Sequence, residues 1–147
     1  MQERAKEWLD AGLVVKAEEP CLPIFERFIK DSVEDELADC YIRLCDFAVG
    51  YGMDTDIIIE GVAWDRQFFK AQSVGNLGQS LLLIAGGIYG LSEPVEDTDV
   101  PWEALKMRGV LVAIECLALD LGIDLARHID LKLTYNSLRP HKHGKSY

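Results

Sequence analysis

The spacing of apolar residues constrains this chain more than any other feature. They recur every three or four positions instead of alternating, and Gly, Pro and Asp interrupt them at intervals that suit short loops. The pattern predicts an all-α protein, a bundle of helices joined by short turns. The predicted helices are Glu3 to Val15, Leu22 to Lys30, Ser32 to Gly50, Asp54 to Ala71, Asn76 to Ser92, Pro101 to Asp120 and Asp124 to Leu138.

The length and the apolar content predict a single domain. The 147 residues are 49% apolar, which is enough for one buried core and short for two. A faint repeat at an offset of 70 residues divides that domain. The segment Leu44 to Asp54 lies over Ile114 to Asp124 with Ala, Gly and Asp in common. We therefore expect two helix-pair units, residues 22–72 and 76–138, followed by a basic tail, residues 139–147.

The charge balance bears on the partners that the chain can bind. Lys and Arg number 15 against 25 Asp and Glu, which gives a net charge of -10. Such a surface repels a phosphate backbone, so we expect no nucleic acid polymer as a partner. The carboxy-terminal end differs, because from Arg127 to Tyr147 there are five basic residues and one acid.

Neither a membrane partner nor secretion is expected. The longest uninterrupted apolar stretches, Leu81 to Ala85 and Val110 to Ile114, are far below the roughly 20 residues of a membrane span. The amino-terminal residues carry charges of both signs and no apolar run. The four cysteines show no CxxC spacing and are interpreted as buried thiols of a reducing cytoplasm.

An acidic strip lies on the helix predicted from Ser32 to Gly50. On a helical wheel its members fall within about 80 degrees of one another, and they are Glu36, Asp39, Arg43 and Asp46. Glu36 and Asp39, at i and i+3, place two carboxylates side by side, as a hard divalent cation requires. The alternative is a solvated face with an ion pair between Asp39 and Arg43. The spacing leaves both interpretations open.

A second polar strip, the carboxy-terminal strip, lies on the last predicted helix. Its spacings of 4, 3, 1 and 3 put five residues on one side, namely His128, Lys132, Tyr135, Asn136 and Arg139. Ala126, Ile129 and Leu133 are expected on the buried side. Lys132 and Arg139 suit phosphate, and Tyr135 and Asn136 suit polar contacts. The alternative is that basic residues collect at helix carboxy termini because of the helix dipole.

The chain resembles the MazG-like branch of the all-α nucleoside triphosphate pyrophosphohydrolases, the superfamily that includes the dimeric dUTPases. Two segments carry the likeness, EDELADCYIRLCDFAVGYGMD and KLTYNSLRPHKHGK. The first is similar to the family's ExxD motif. The second is similar to its K-x-x-Y-N-x-x-R-P-x-K-H-G-K signature, formed here by Lys132, Tyr135, Asn136, Arg139, Pro140, Lys142, His143, Gly144 and Lys145.

The resemblance implies an activity and its residues. Enzymes of this kind use Mg²⁺, held by acids of an ExxE and an ExxD helix, to release pyrophosphate from a nucleoside triphosphate. Glu36 and Asp39 would be the metal-binding and catalytic residues. The residues expected to bind substrate are Lys132, Tyr135, Asn136, Arg139, Lys142 and His143. A homodimer is expected as well.

The sequence also departs from that family. Gly87 and Gly90 stand where the ExxE glutamates belong, and Lys106 and Gly109 stand where a second ExxD motif would have its acids. Glu7 and Asp10 are the only acids suitably spaced ahead of Glu36, and their surroundings do not match. A shortened chain or a lost metal helix would account for this. Three hypotheses follow: a Mg²⁺-dependent pyrophosphohydrolase, a degenerate relative that binds nucleotide or a partner without turnover, and a plain structural bundle.

Overall fold

The computed structural model describes residues 21–69, 76–93 and 101–138. These ranges contain helices and turns and no strand, which confirms the all-α class. The helices are α1 (Cys21–Phe28), α2 (Val33–Gly50), α3 (Thr55–Phe69), α4 (Leu77–Gly90), α5 (Trp102–Asp120) and α6 (Leu125–Leu138). The predicted helix from Glu3 to Val15 and the basic tail, residues 139–147, lie outside the described residues.

Local capping explains why these helices begin where the sequence predicts. Ser32 Oγ accepts a hydrogen bond from the backbone N–H of Asp35 at the start of α2. Asn76 Oδ1 caps α4 by accepting from the N–H groups of Gly78 and Gln79. Short polar side chains satisfy donors that a helix leaves open at its amino end. Both ends of all six described helices agree with the predicted ones to within two residues.

The repeated sequence forms the same turn twice. Gly52 and Gly122 end α2 and α5 with positive φ angles of 74° and 71°, a conformation that favours glycine. One residue later, Met53 N–H donates to Ala48 O and Ile123 N–H donates to Ala118 O, at 2.9 and 2.8 Å. The next helix is capped alike in both cases, because Asp54 and Asp124 each accept from the N–H three residues on, at 3.1 Å.

Helix α5 is the centre of the fold. It packs against α3, α4 and α2, whereas α6 packs against α2 and α1. The packing is crossed, since α3 lies on α5 and α6 lies on α2. The repeat relates α2 to α5 and α3 to α6. The contact of α3 with α5 is therefore equivalent to the contact of α6 with α2, and each joins one half of the repeat to the other. The halves are therefore intertwined.

The main core draws on both halves of the sequence. Its most deeply buried members come from α2 and α5, and they include Ala38, Met107, Leu111, Val112 and Ile114. A smaller cluster joins α1 to α6 and consists of Phe25, Ile29, Leu131 and Tyr135. Among the described helices, none is long and apolar enough to cross a membrane.

Candidate functional site

The turn between α1 and α2 fixes one carboxylate in the interior. Asp31 has a φ of 63°, in the left-handed region that aspartate tolerates better than most residues. Its backbone N–H donates to Asp35 Oδ2 at 3.1 Å. The side chain of Asp35 is only 1% exposed. The turn therefore holds Asp35 inward, against α6, at the amino end of α2.

A lysine from α6 neutralises that carboxylate. Lys132 Nζ lies 2.8 Å from Asp35 Oδ1 and 3.8 Å from Asp39 Oδ1. The same ammonium lies 5.9 Å from the centre of the Phe25 ring. A buried charge is tolerated only when it is paired and hydrogen-bonded, and here each partner meets that condition for the other. We refer to Asp35, Asp39 and Lys132 as the buried ion-pair cluster.

Two members of the acidic strip have different surroundings. Asp39 Oδ2 accepts a hydrogen bond from Arg43 Nε, so the ion pair considered as the alternative for this strip is present. Glu36 is exposed and lies on the outer side of the helix. The structure thus places Asp39 3.8 Å from Lys132, and the acid that contacts Lys132 most closely is Asp35.

Three residues of the carboxy-terminal strip face the interior. Its members His128, Lys132 and Tyr135 are at most 9% exposed, whereas Leu133 is 48% exposed. Ala126 is exposed as well and Ile129 is half-buried. The expectation that Ala126, Ile129 and Leu133 form the buried side of this helix is therefore wrong for Ala126 and Leu133, whereas Ile129 does pack against the main core. The physical reason is the carboxylate of Asp35, which compensates the charge of Lys132 and allows that face to be buried.

The other strip residues lie around this cluster or beyond the described part of the chain. The Tyr135 ring stacks on Phe25 with their centres 4.3 Å apart, and its hydroxyl donates to Glu26 Oε1 at 3.3 Å. Asn136 is exposed. Arg139, Lys142 and His143 fall outside the described residues. Binding of substrate by these residues stays a prediction.

His128 lies one helical turn before Lys132 and is also buried. Among the described residues, its Nδ1 has no hydrogen-bond partner. Burial lowers the pKa of His128, and the nearby carboxylates of Glu34, Asp124 and Asp35 oppose that shift. The imidazole is consequently neutral near pH 7.

Three carboxylates at the amino end of α2 could approach one cation. Oxygens of Asp31, Asp35 and Glu36 lie within 4.8 Å of one another. Asp31 and Glu36 are exposed, and Asp31 Oδ2 also lies 3.8 Å from Lys30 Nζ. Both oxygens of Asp35 already accept hydrogen bonds within the protein. A divalent cation there would depend mainly on the two exposed acids, and such groups are common on protein surfaces.

In the second half, none of the positions that correspond to Asp35, Glu36 and Asp39 is an acid. Lys106, which aligns with Glu36, donates from Nζ to the Gly90 carbonyl oxygen at 2.9 Å. A Cβ atom placed on Gly87 would lie 2.7 Å from Val110 Cγ2, closer than real contacts allow. Gly87 therefore permits α4 to pack closely on α5. Of the four positions that the resemblance relates to metal ligands here, Lys106 forms a contact with a backbone carbonyl and Gly87 lies in tight apolar packing.

A separate cavity of about 400 Å³ lies between α2, α5 and α6. Its polar members are Tyr41, Glu115 and Asp124, and the Tyr41 hydroxyl donates to Glu115 Oε1 at 3.2 Å. The rest of its lining is apolar. Sequence reasoning missed this cavity, since it forms where three helices meet and no local pattern marks it.

Sequence reasoning also missed Asp35, Phe25 and Glu26. Asp35 carried only a partial signal: on the helical wheel it falls between Ile42 and Asp46, at the border between the apolar side of α2 and the acidic strip. An acid that is buried at such a border requires a cation from another element. Phe25 and Glu26 carry no comparable signal, because their contacts are set by how α1 packs on α6.

Comparison with known proteins adds no relative. No protein family model, curated protein or solved structure matches the chain.

Proposed function

We propose that this chain is a catalytically inactive, MazG-like helical bundle that acts by binding another polypeptide. The observation that carries the proposal is the buried ion-pair cluster, in which Lys132 Nζ lies 2.8 Å from Asp35 and 3.8 Å from Asp39. An ammonium of the chain itself supplies the positive charge that a catalytic Mg²⁺ would bring to these carboxylates.

The coordination chemistry of magnesium supports this proposal. Mg²⁺ requires near-octahedral oxygen ligands at about 2.0–2.1 Å. Of the two acids of the ExxD motif, Asp39 has one oxygen on Arg43 and the other 3.8 Å from Lys132. A cation at Asp39 would have to displace Arg43 from one oxygen and would lie close to the ammonium of Lys132 at the other, so like charges would repel it. Glu36 alone offers a single exposed carboxylate.

The second half supports the same conclusion. Turnover needs several acids to neutralise the developing charge at phosphorus and to activate water. Lys106 and Gly87 contribute no carboxylate, and Val110 fills the space that a side chain at Gly87 would need. Without these carboxylates the activation free energy of hydrolysis would be several kcal/mol higher, and each 1.4 kcal/mol lowers the rate about tenfold.

Phosphate binding, which the resemblance also implies, is disfavoured by the structure around Lys132. Lys132 is 11% exposed and paired with Asp35, so it offers little positive charge to a triphosphate. The exposed acids near it are Glu26, Asp31 and Glu36, and the exposed Lys30 is itself paired with Asp31 at 3.8 Å. By contrast, the outer face of α4 is uncharged and apolar. A polypeptide is therefore the better candidate for binding than a nucleotide.

A pyrophosphate-release assay tests the absence of turnover. The purified chain is incubated with Mg²⁺ and a panel of standard and modified nucleoside triphosphates, alongside Glu36→Gln. We expect background release from both proteins. Mg²⁺-dependent release that Glu36→Gln abolishes would overturn the proposal and restore the enzyme.

That enzyme is the second candidate function, and the carboxylate group of Asp31, Asp35 and Glu36 favours it. A Mg²⁺ already attached to a nucleotide needs only one or two protein carboxylates. Under this hypothesis the chain is a Mg²⁺-dependent nucleoside triphosphate pyrophosphohydrolase. Calorimetric titration of Mg²⁺–nucleotide into the wild type and into Glu36→Gln would then show heat that only the wild type produces.

A further inference from the structure

The cavity between α2, α5 and α6 has the dimensions of a small-molecule site. Its volume of about 400 Å³ falls within the range of about 300–1,000 Å³ that is usual for such sites. Leu119, Ile123 and Ile129 supply apolar walls. Leu119 is 42% exposed and Ala126, also in the lining, is exposed, so the cavity opens to solvent between α5 and α6.

Two carboxylates lie in the same lining. The first belongs to Glu115 of α5, whose Oε1 accepts a hydrogen bond from the Tyr41 hydroxyl of α2 at 3.2 Å. The second belongs to Asp124, which caps α6 by accepting from the backbone N–H of Arg127. Among the described residues that line the cavity, both charged ones are acids and none is basic. A concave site lined by one sign of charge attracts ligands of the opposite sign.

The repeat indicates that the fold does not require the tyrosine and the glutamate at this junction. At the offset of 70 residues, Tyr41 corresponds to Leu111 and Glu115 corresponds to Cys45, where α5, α2 and α3 meet in the equivalent way. Leu111 is 1% exposed and Cys45 packs against the main core. Replacing a hydrogen-bonded polar pair by apolar groups can be neutral or stabilising. Packing alone therefore does not account for Tyr41 and Glu115.

We propose that this cavity binds a small organic ammonium ion with an apolar body. The ammonium group donates charge-assisted hydrogen bonds to the Glu115 carboxylate, which the Tyr41 hydroxyl holds in position. The apolar body lies against Leu119, Ile123 and Ile129 and removes their surface from water. The inference goes beyond the proposed function, because it concerns a different part of the molecule and a different kind of ligand.

Other classes of ligand fit the cavity less well. An anion would lie near Glu115 and Asp124, and both would repel it. A bare metal ion needs several ligand atoms at about 2.0–2.6 Å. In the described part of the chain, the one group of three acids close enough for that is Asp31, Asp35 and Glu36, outside this cavity. A wholly apolar molecule would remove a carboxylate from water without supplying a compensating charge.

The test is a calorimetric titration of the full-length chain with hexylammonium and with benzylammonium chloride. Each ion should bind once per chain, with a Kd below about 1 mM. Neutral hexanol, which has the same apolar chain, should bind at least about tenfold more weakly because it cannot form a charge-assisted hydrogen bond. Hexanoate should bind more weakly still, because the carboxylates of the cavity repel it.

Two variants locate the bound ion. Glu115→Gln keeps the shape of the side chain and removes its charge, so the affinity for hexylammonium should fall at least about tenfold, to near that for hexanol. Ala126→Phe places a ring at the exposed side of the cavity and should reduce the binding of both ions below detection. Ala85→Phe is the matched control, since Ala85 is exposed on α4 outside the cavity, and it should bind like the wild type.

Three results would overturn the inference. The first is a wild type that binds neither ammonium ion at concentrations up to about 5 mM. The second is equal binding of hexylammonium and hexanoate. The third is unchanged binding of hexylammonium by Glu115→Gln or by Ala126→Phe, which would place the ion elsewhere on the acidic surface.

A measurement on the wild type decides the question if those two variants lose their helical circular dichroism. Nuclear Overhauser contacts between the ring protons of Tyr41 and the methylene protons of hexylammonium should appear when the ion is bound. Their absence at saturating hexylammonium would overturn the inference.

Discussion

The two halves of the molecule share a turn and differ in what faces each helix. Gly52 and Gly122 end α2 and α5 with nearly the same φ angle and the same hydrogen bonds. At the other end of these helices the chemistry diverges, because buried Asp35 meets Lys132 whereas Lys106 meets a backbone carbonyl. A short sequence is enough to repeat the turn. The contacts at the helix amino ends depend on the helix that packs opposite.

The largest expected effect comes from separating the buried pair. Asp35→Asn should lower the free energy of unfolding by about 3 kcal/mol, because it leaves the Lys132 ammonium buried with Asp39 at 3.8 Å as its nearest acid. The measurement is urea denaturation followed by circular dichroism. Glu36→Gln, one residue along and exposed, is the control and should change stability by less than about 0.5 kcal/mol. Equal effects of the two substitutions would contradict the buried cluster.

The shared turn is tested by its two glycines. Gly52→Ala and Gly122→Ala should each cost about 1–2 kcal/mol, since both positions have a positive φ that alanine adopts at a penalty. Urea denaturation of the two variants should give similar losses. Gly50→Ala, in the last helical position of α2 with open space around it, should be neutral or stabilising. Losses that differ strongly between Gly52 and Gly122 would show that the two turns are not equivalent.

The contact in the second half should matter less than that in the first. Lys106→Met removes one hydrogen bond to the Gly90 carbonyl and should cost about 1 kcal/mol. Lys132→Met, by contrast, leaves Asp35 buried without its cation and should cost about 3 kcal/mol. Parallel denaturation of the two variants compares them. A larger loss of stability for Lys106→Met than for Lys132→Met would contradict the conclusion that the stabilising buried charge lies in the first half.

The pH dependence of stability gives the smallest effect. Burial lowers the pKa of His128 in the folded state, so the unfolded chain binds more protons as the pH falls below about 6.5. Stability from this residue is therefore present above that pH and is lost on acidification, by at most about 1.4 kcal/mol per pH unit. Comparing the wild type with His128→Leu between pH 7.5 and 5.5 isolates it. An equal slope in both proteins would contradict a neutral, buried His128.

Much of the fold could be predicted because its signals are local. The helix that begins after Asn76 and the one that begins after Asp124 follow from side chains that cap the next few N–H groups. The candidate site was predicted less well. Asp39 and Lys132 do come together, but Asp35 was overlooked and α6 was assigned the wrong buried side.

The reason lies in the sequence of α6 itself. Leu131, Lys132 and Tyr135 are buried together, so the buried face mixes apolar and charged residues and gives no clear amphipathic pattern. No hydrophobic periodicity could show which side faces α2. The orientation is decided by Asp35 across the interface, 97 positions away along the chain.

The sequence by itself determined the helices, their caps and the repeated glycine turn, because each depends on residues within one or two turns of chain. Only the tertiary structure decided which charges are buried, since a buried ammonium requires a carboxylate from a distant helix. It likewise decided that the outer face of α4 is left apolar and accessible while α5 covers its inner face.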